Sequence, residues 1–290
     1  MMANAKTAPL VSRRIWLCAD DYGISPGVNR AIRDLIKRGR LNATSVMVVG
    51  PAIGRDEIAS LKDVVAERHA RGNRCEIGLH VTLTAPFRPL TMHFKPVDGG
   101  LFLSLPKMLQ RGFVRRLDRE IMQSEIATQF SAFRDLFGRT PDFADGHQHA
   151  QLFPVVRDAF LAATAAQAPN AWVRQGGQNR PLLKRVNSPK ALLLDALSRQ
   201  FRKRAARAEL RFNTAFAGAY DYLRKADFGS LMQQFLQGLP DGGLVMCHPG
   251  FVDETLEELD PLTHQREQEY AFLAGEPFPA LLAANKVTLD

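Results

Sequence analysis

Cysteine is scarce. Cys18, Cys75 and Cys247 are the only three in 290 residues; they lie far apart with no C-x-x-C spacing, so neither a disulfide framework nor a zinc knuckle follows, and a reducing cytoplasm is the expected location. Long apolar runs are missing too. None approaches the roughly 18 residues that span a bilayer, and the opening "MMANAKTAPLVSRR" has no continuous apolar segment of the signal-peptide kind. The expectation is a chain that is neither secreted nor membrane-spanning. There is no repeat at fixed period and no low-complexity tract.

Positive charge is in excess, +8 with a pI near 9.7, but it is spread out. Its one concentration, "RQFRKRAARAELR" from Arg199 to Arg211, has the pattern of a helix with a solvated face, with no interleaved aromatics to stack bases. No nucleic-acid partner is expected.

What is present is alternation. "RIWLCA" is a short, continuous apolar run, as for a strand covered on both faces, and "SPGVNRAIRDLIKRG" follows as a helix, with Ser25 as N-cap, Pro26 at the first position and Val28, Ile32, Leu35 and Ile36 as its stripe. "NATSVMVVG" (Asn42 to Gly50) and "CEIGLHVTLT" (Cys75 to Thr84) are further strands, separated by a helix from Asp56 to Arg71. Residues 85–106 form a Pro- and Gly-rich loop too long for a plain connector. A helix from about Arg115 to Phe137 leads to "PDFADGHQHAQLFP". Beyond it come a helix from Pro154, a strand "AWVRQ", a basic helical insertion over about 182–210, a helix near Phe228 to Leu239, the strand "GGLVMCHPG" and a helix around Pro261 to Ala274. Such alternation predicts one α/β domain over 1–290, its parallel sheet open or closed into a barrel. Ligands of parallel sheets sit at the carboxyl ends of the strands.

At those ends stand Asp20 and Asp21, His80, His147 with His149, and His248: four of the chain's seven histidines and an acidic pair. The other three, His69, His93 and His264, fall in helix or loop contexts and are read as surface residues. Two adjacent carboxylates in a half-buried site repel unless a cation intervenes. A divalent metal held by one Asp, with two imidazoles from other strands, leaves the second Asp free as a general base and coordination positions open. That suits metal-assisted hydrolysis, with Asp20 as base and His248 as acid. Arg174, in "AWVRQ", is placed either to orient Asp20 or a sugar oxygen, or on the surface. Cys247 neighbours His248 on a strand and so faces the opposite way, against packed helices.

"ADDYG", "GLHVTLT", "DGHQHAQLFP" and "VMCHPGFVD", in this order, resemble the motifs of the YdjC-like (ChbG) carbohydrate deacetylases over roughly Arg14 to Asp253. The resemblance implies a distorted, TIM-barrel-like (β/α) barrel and removal of acetyl groups from N-acetylated sugars. It further implies one divalent ion on Asp21, His80 and His147, Asp20 as catalytic base, and a homodimer. Two positions depart from the pattern: Gln151 stands where the family often has a third histidine, and Tyr22 replaces a Phe. His149 is a ligand, an oxyanion-side donor or a second-layer partner. Imidazole donors favour zinc or another transition ion, whereas the resemblance implies magnesium. A non-haem iron oxygenase shares the two-His-one-carboxylate set but gives Asp20 and His248 no role; a receiver-like signalling module would leave the histidines without one.

Overall fold

The computed structural model describes residues 12–177, 189–222 and 227–290; the first part of the expected basic insertion, 182–188, lies outside them. In chain order the strands are β1 (Arg13–Arg14), β2 (Trp16–Tyr22), β3 (Ala43–Val46), β4 (Glu76–Val81), β5 (Val97–Asp98), β6 (Leu101–Phe102), β7 (Phe143–Gly146), β8 (Trp172–Val173), β9 (Phe216–Ala217), β10 (Leu244–Cys247) and β11 (Val287–Thr288). The helices are α1 (Pro26–Lys37), α2 (Arg55–Ala70), α3 (Leu105–Phe113), α4 (Arg119–Phe137), α5 (Val156–Gln167), α6 (Pro189–Arg207), α7 (Phe228–Leu236), α8 (Glu254–Leu259), α9 (His264–Ala274) and α10 (Pro277–Ala284).

Seven strands form one all-parallel sheet in the order β8-β7-β4-β3-β2-β10-β9. The sheet curls until its edges touch: Val173 N–H donates to Arg211 O at 2.8 Å, Val173 bridges Phe212, and Phe216 N–H donates to Gly177 O at 3.1 Å. The result is a distorted barrel, with seven strands among the described residues instead of the eight of a regular (β/α) barrel. A short parallel pairing of β1 with β11 ties residues near the two ends of the described chain together.

Alternation along each strand separates two apolar regions. Leu17, Ala19, Ile77, Leu79, Ala144, Val245 and Cys247 face outward into the helix layer. Cys18, Ala43, Phe143, Trp172, Phe216, Leu244 and Met246 fill the barrel. Cys247 thus packs outward, on the face expected for it. The barrel's lower half is an aromatic plug, with Trp172 stacked on Phe143 at 4.4 Å and on Trp16 at 5.7 Å between centroids. Gly78 on β4 leaves the room that Phe143 occupies, since a Cβ there would lie 2.4 Å from its ring. Gly78→Ala is therefore expected to overpack the plug and cost about 1–3 kcal/mol, measured by denaturant unfolding.

The helices start where their caps predict. Ser25 Oγ accepts from Val28 N–H at 3.2 Å with Pro26 in the first turn, and Val28, Ala31, Ile32, Leu35 and Ile36 are buried. The helix expected from Arg115 starts instead at Arg119: Arg115 takes a left-handed backbone (φ 53°), and Asp118 caps the helix by accepting from the Glu120 and Ile121 N–H groups. Likewise, the expected 85–106 loop holds the small β5–β6 hairpin and passes into α3 at Leu105. Of the basic segment, α6 buries Leu197, Phe201 and Ala205 and exposes Arg199, Lys203, Arg204 and Arg207, so its charge is the solvated face of a packed crossover helix.

Candidate metal and acid–base site

The polar groups sit above the aromatic plug, at the carboxyl ends of the strands. On an unbroken strand Asp20 and Asp21 would face opposite ways. They do not, because the β2–β3 register runs from Ala19 opposite Thr44 to Tyr22 opposite Val46, two residues meeting one. Asp21 takes φ 67° in this bulge. A non-glycine residue there costs of order 1–3 kcal/mol and re-aims its side chain. Immediately after it, Gly23 (φ 102°) turns the chain away, its N–H held at 2.6 Å by Asn29 Oδ1.

The two carboxylates then divide. Asp20 is gripped on both oxygens by Arg174, Nη1 to Oδ2 and Nη2 to Oδ1, each at 2.6 Å. Burial alone would raise its pKa; the guanidinium overrides that and brings it down to about 2. Asp21 takes a 2.6 Å bond from Arg266 Nη2 on Oδ2, while its Oδ1 lies 3.2 Å from His80 Nε2 and 3.0 Å from His147 Nδ1. Against the upward push of burial, Arg266 and His147 hold its pKa well below the carboxylate range.

Asp21, His80 and His147 are all buried, with donor atoms within 4.8 Å of one another, and together could hold a metal ion. Behind His80, Nδ1 faces Asp145 Oδ1 at 2.6 Å and Ser45 Oγ at 3.0 Å, leaving Nε2 on the side of Asp21. A carboxylate behind a ligating imidazole fixes its tautomer and strengthens its donor nitrogen. Without a cation, burial acts to lower the His80 pKa, but Asp145 prevails and pushes it up to about 10. A second acidic cluster, Cys18, Asp20 and Asp145, is filled by Arg174, whose Nη2 lies 3.0 Å from Cys18 Sγ, 2.6 Å from Asp20 and 2.5 Å from Asp145. A guanidinium already supplies the positive charge there.

His149 stands apart from the three-donor group. It follows Gln148 in left-handed backbone (φ 54° and 58°), its ring lies edge-on to Phe216, and burial with Arg174 nearby lowers its pKa to about 3. Gln151 is buried, its amide 3.4 Å from the Arg174 carbonyl. On β10, Leu244, Val245 and Met246 lie level with Trp16, Leu17 and Cys18, so His248 emerges beside the acidic pair. Its main-chain N–H donates to Glu269 at 2.5 Å, its Nδ1 faces Tyr222 Oη at 3.2 Å, and burial lowers its pKa. Glu269 is itself pushed up to about 7 by burial. Asp145 was visible in the quoted "DFADG"; Arg266 and Glu269 are not conspicuous, since charged residues three apart on a helix ordinarily mark its wet face. His69, His93 and His264 are exposed, on the surface as expected.

The family description "YdjC-like protein" matches residues 14–284. The chain belongs to the YdjC-like family. Two relatives of this YdjC-like chain are named chitooligosaccharide deacetylase: one from Escherichia fergusonii, 28% identical over 251 residues, and one from Citrobacter koseri, 29% identical over 254 residues, each alignment covering 86% of both chains. A solved structure from Enterococcus faecalis V583, provisionally described as a cellobiose-phosphate cleavage protein, shares the fold, with TM-score 0.74, 18% identity and coverage of 96% of the YdjC-like chain and 97% of its own. No helix among the described residues of the YdjC-like chain is long and apolar enough to cross a membrane.

Proposed function

We propose that this YdjC-like chain is a metal-dependent hydrolase that removes the acetyl group from an N-acetylated sugar, with acetylated chito-oligosaccharides as substrate. The observation that carries this reading is the placement of the Arg174-bound Asp20 and of His248 around the buried Asp21–His80–His147 group. Two imidazoles and a carboxylate suit a divalent ion of the zinc class better than magnesium, which prefers oxygen donors. When bound, such an ion polarises the acetyl carbonyl and lowers the pKa of a water.

The chain's own groups handle the protons. Asp20 is ionised at every pH near neutrality and accepts the proton that the attacking water loses as its oxygen joins the acetyl carbon. His248 delivers a proton to the amide nitrogen as the C–N bond breaks, so that the free amine and acetate leave. Burial lowers the pKa of His248, so its imidazolium gives that proton up more readily than a solvated one would. Asp20, Asp21, His80 and His147 are each less than a tenth exposed, so the reacting carbon must arrive on a small acyl group while the sugar stays above.

The test is acetate release from N-acetylglucosamine oligomers, run with zinc, magnesium, manganese and cobalt in turn. No release with any of them overturns the reading; oxygen consumption with ferrous iron would replace it by the oxygenase. The fit of the donor set has its own check. Asp145→Asn removes the charge behind His80 and is expected to weaken zinc binding about tenfold, read by competitive titration with a chelating dye.

A further inference from the structure

The acid of the reaction needs a partner on its second ring nitrogen, and the structure supplies an unusual one. We propose that Tyr222 is a positioning residue for His248, holding Nδ1 so that Nε2 faces the cleft and transfers its proton to the leaving amine. This rests on the deacetylase reading above.

The geometry is a two-point grip. Tyr222 Oη lies 3.2 Å from His248 Nδ1, and the two rings meet edge-on at 83° with centroids 5.8 Å apart. From the other side, the His248 main-chain N–H is bound to Glu269 at 2.5 Å. The two holds are joined: Tyr222 packs on Tyr220 at 4.2 Å, Tyr220 Oη donates to Glu269 Oε1 at 2.7 Å, and Gln265 Nε2 donates to the Tyr222 carbonyl at 2.7 Å. Glu269 and Gln265 both belong to α9, so one helix fixes the strand exit and the residue that meets the ring.

A phenol suits this position for a chemical reason. Tyr hydroxyl both accepts and donates. It accepts from Nδ1–H of the imidazolium, and once Nε2–H has moved to the amine nitrogen, it still accepts from the same Nδ1–H of the neutral ring. The nitrogen keeps the electron pair of the broken C–N bond and gains that proton, and the imidazole needs no reorientation. A carboxylate in the same place would stabilise the imidazolium and oppose the transfer. Burial, with Glu269 nearby, pushes the Tyr222 phenol well above its ordinary pKa, so the partner stays neutral.

The experiment compares two leaving groups in the metal-loaded enzyme. An N-acetylated chito-oligosaccharide loses an amine that must be protonated; p-nitrophenyl acetate loses a phenolate that need not be. Tyr222→Phe keeps the ring and removes only the hydroxyl. It is expected to lower kcat on the amide about 10–100-fold with KM within about twofold, and to leave the ester rate within about twofold of wild type. His248→Ala should show the same selectivity more strongly. Tyr270→Phe, which removes the phenol that donates to Asp34 on α1 at 2.7 Å and lies outside this grip, should keep the wild-type ratio of amide to ester rates. Equal slowing of both substrates by Tyr222→Phe, or no slowing of the amide, overturns the proposal while the deacetylase reading stands. Failure of the wild-type enzyme to release acetate from the sugar overturns both.

Discussion

Asp20→Asn is expected to lower kcat for acetate release by about 10²–10⁴-fold while zinc binding stays within about threefold of wild type. Asparagine matches the carboxylate in size but cannot take up the water's proton. Metal binding should survive because Asp20 is outside the three-donor group: its oxygens are turned to Arg174, at 2.6 Å each, while Oδ1 of Asp21 faces the two imidazoles. The substitution has a structural cost as well. The new amide N–H₂ faces a guanidinium that can only donate, and losing one charge-assisted bond in a buried pair costs about 1.5–3 kcal/mol. Kinetics should therefore be measured well below the variant's unfolding temperature. Acetate release and dye-competition titration on the same preparation decide the matter: loss of zinc would make Asp20 a ligand, and near-wild-type turnover would leave the reaction needing another base.

The strand-end histidines were legible because of a general property of parallel sheets. All carboxyl ends point one way, so short apolar runs ending in Asp or His bring their last residues into one layer. His80, Asp145, Arg174 and His248 come together in this manner from β4, β7, β8 and β10, with no sequence proximity between them. The acidic pair was harder. Adjacent residues on a strand diverge, and nothing in "ADDYG" states that Asp21 adopts φ 67° in a bulge that turns both carboxylates inward. Arg266 was hidden for a different reason. In "HQREQEY" it looks like one charge among several on a surface helix, yet it is fully buried, and it neutralises Asp21 and Asp260 through one nitrogen. A buried cation is recognisable only from the carboxylates that face it, and these come from residues 6 and 245 positions away. The short strand β9 was missed because two residues, Phe216 and Ala217, carry no detectable period.

Arg174→Met is expected to cost about 3–5 kcal/mol of folding stability, measured by urea unfolding of the metal-free protein at neutral pH. One guanidinium holds both Asp20 and Asp145, and all three side chains are almost completely buried. Methionine fills comparable space but leaves Asp20 without its bidentate partner and Asp145 with His80 alone, and removing one partner of a buried ionic network costs more than the network contributes against an apolar replacement of all its members. The pH dependence gives an independent reading. With Arg174 present the Asp20 carboxyl sits at about 2, below its unfolded value near 4. A depressed carboxylate contributes stability that is complete above the unfolded pKa and is lost as pH falls through the folded one, so wild type should lose roughly 2–3 kcal/mol from this group between about pH 4 and pH 2. In Arg174→Met the largest opposing charge is gone and burial faces only His80 and His248, so the Asp20 pKa rises and the variant's deficit against wild type should narrow as pH falls from about 7 toward 2 and the carboxyl protonates. Parallel stability curves for the two proteins over that range would mean that the Arg174–Asp20 pair does not carry the charge balance of the barrel's upper half.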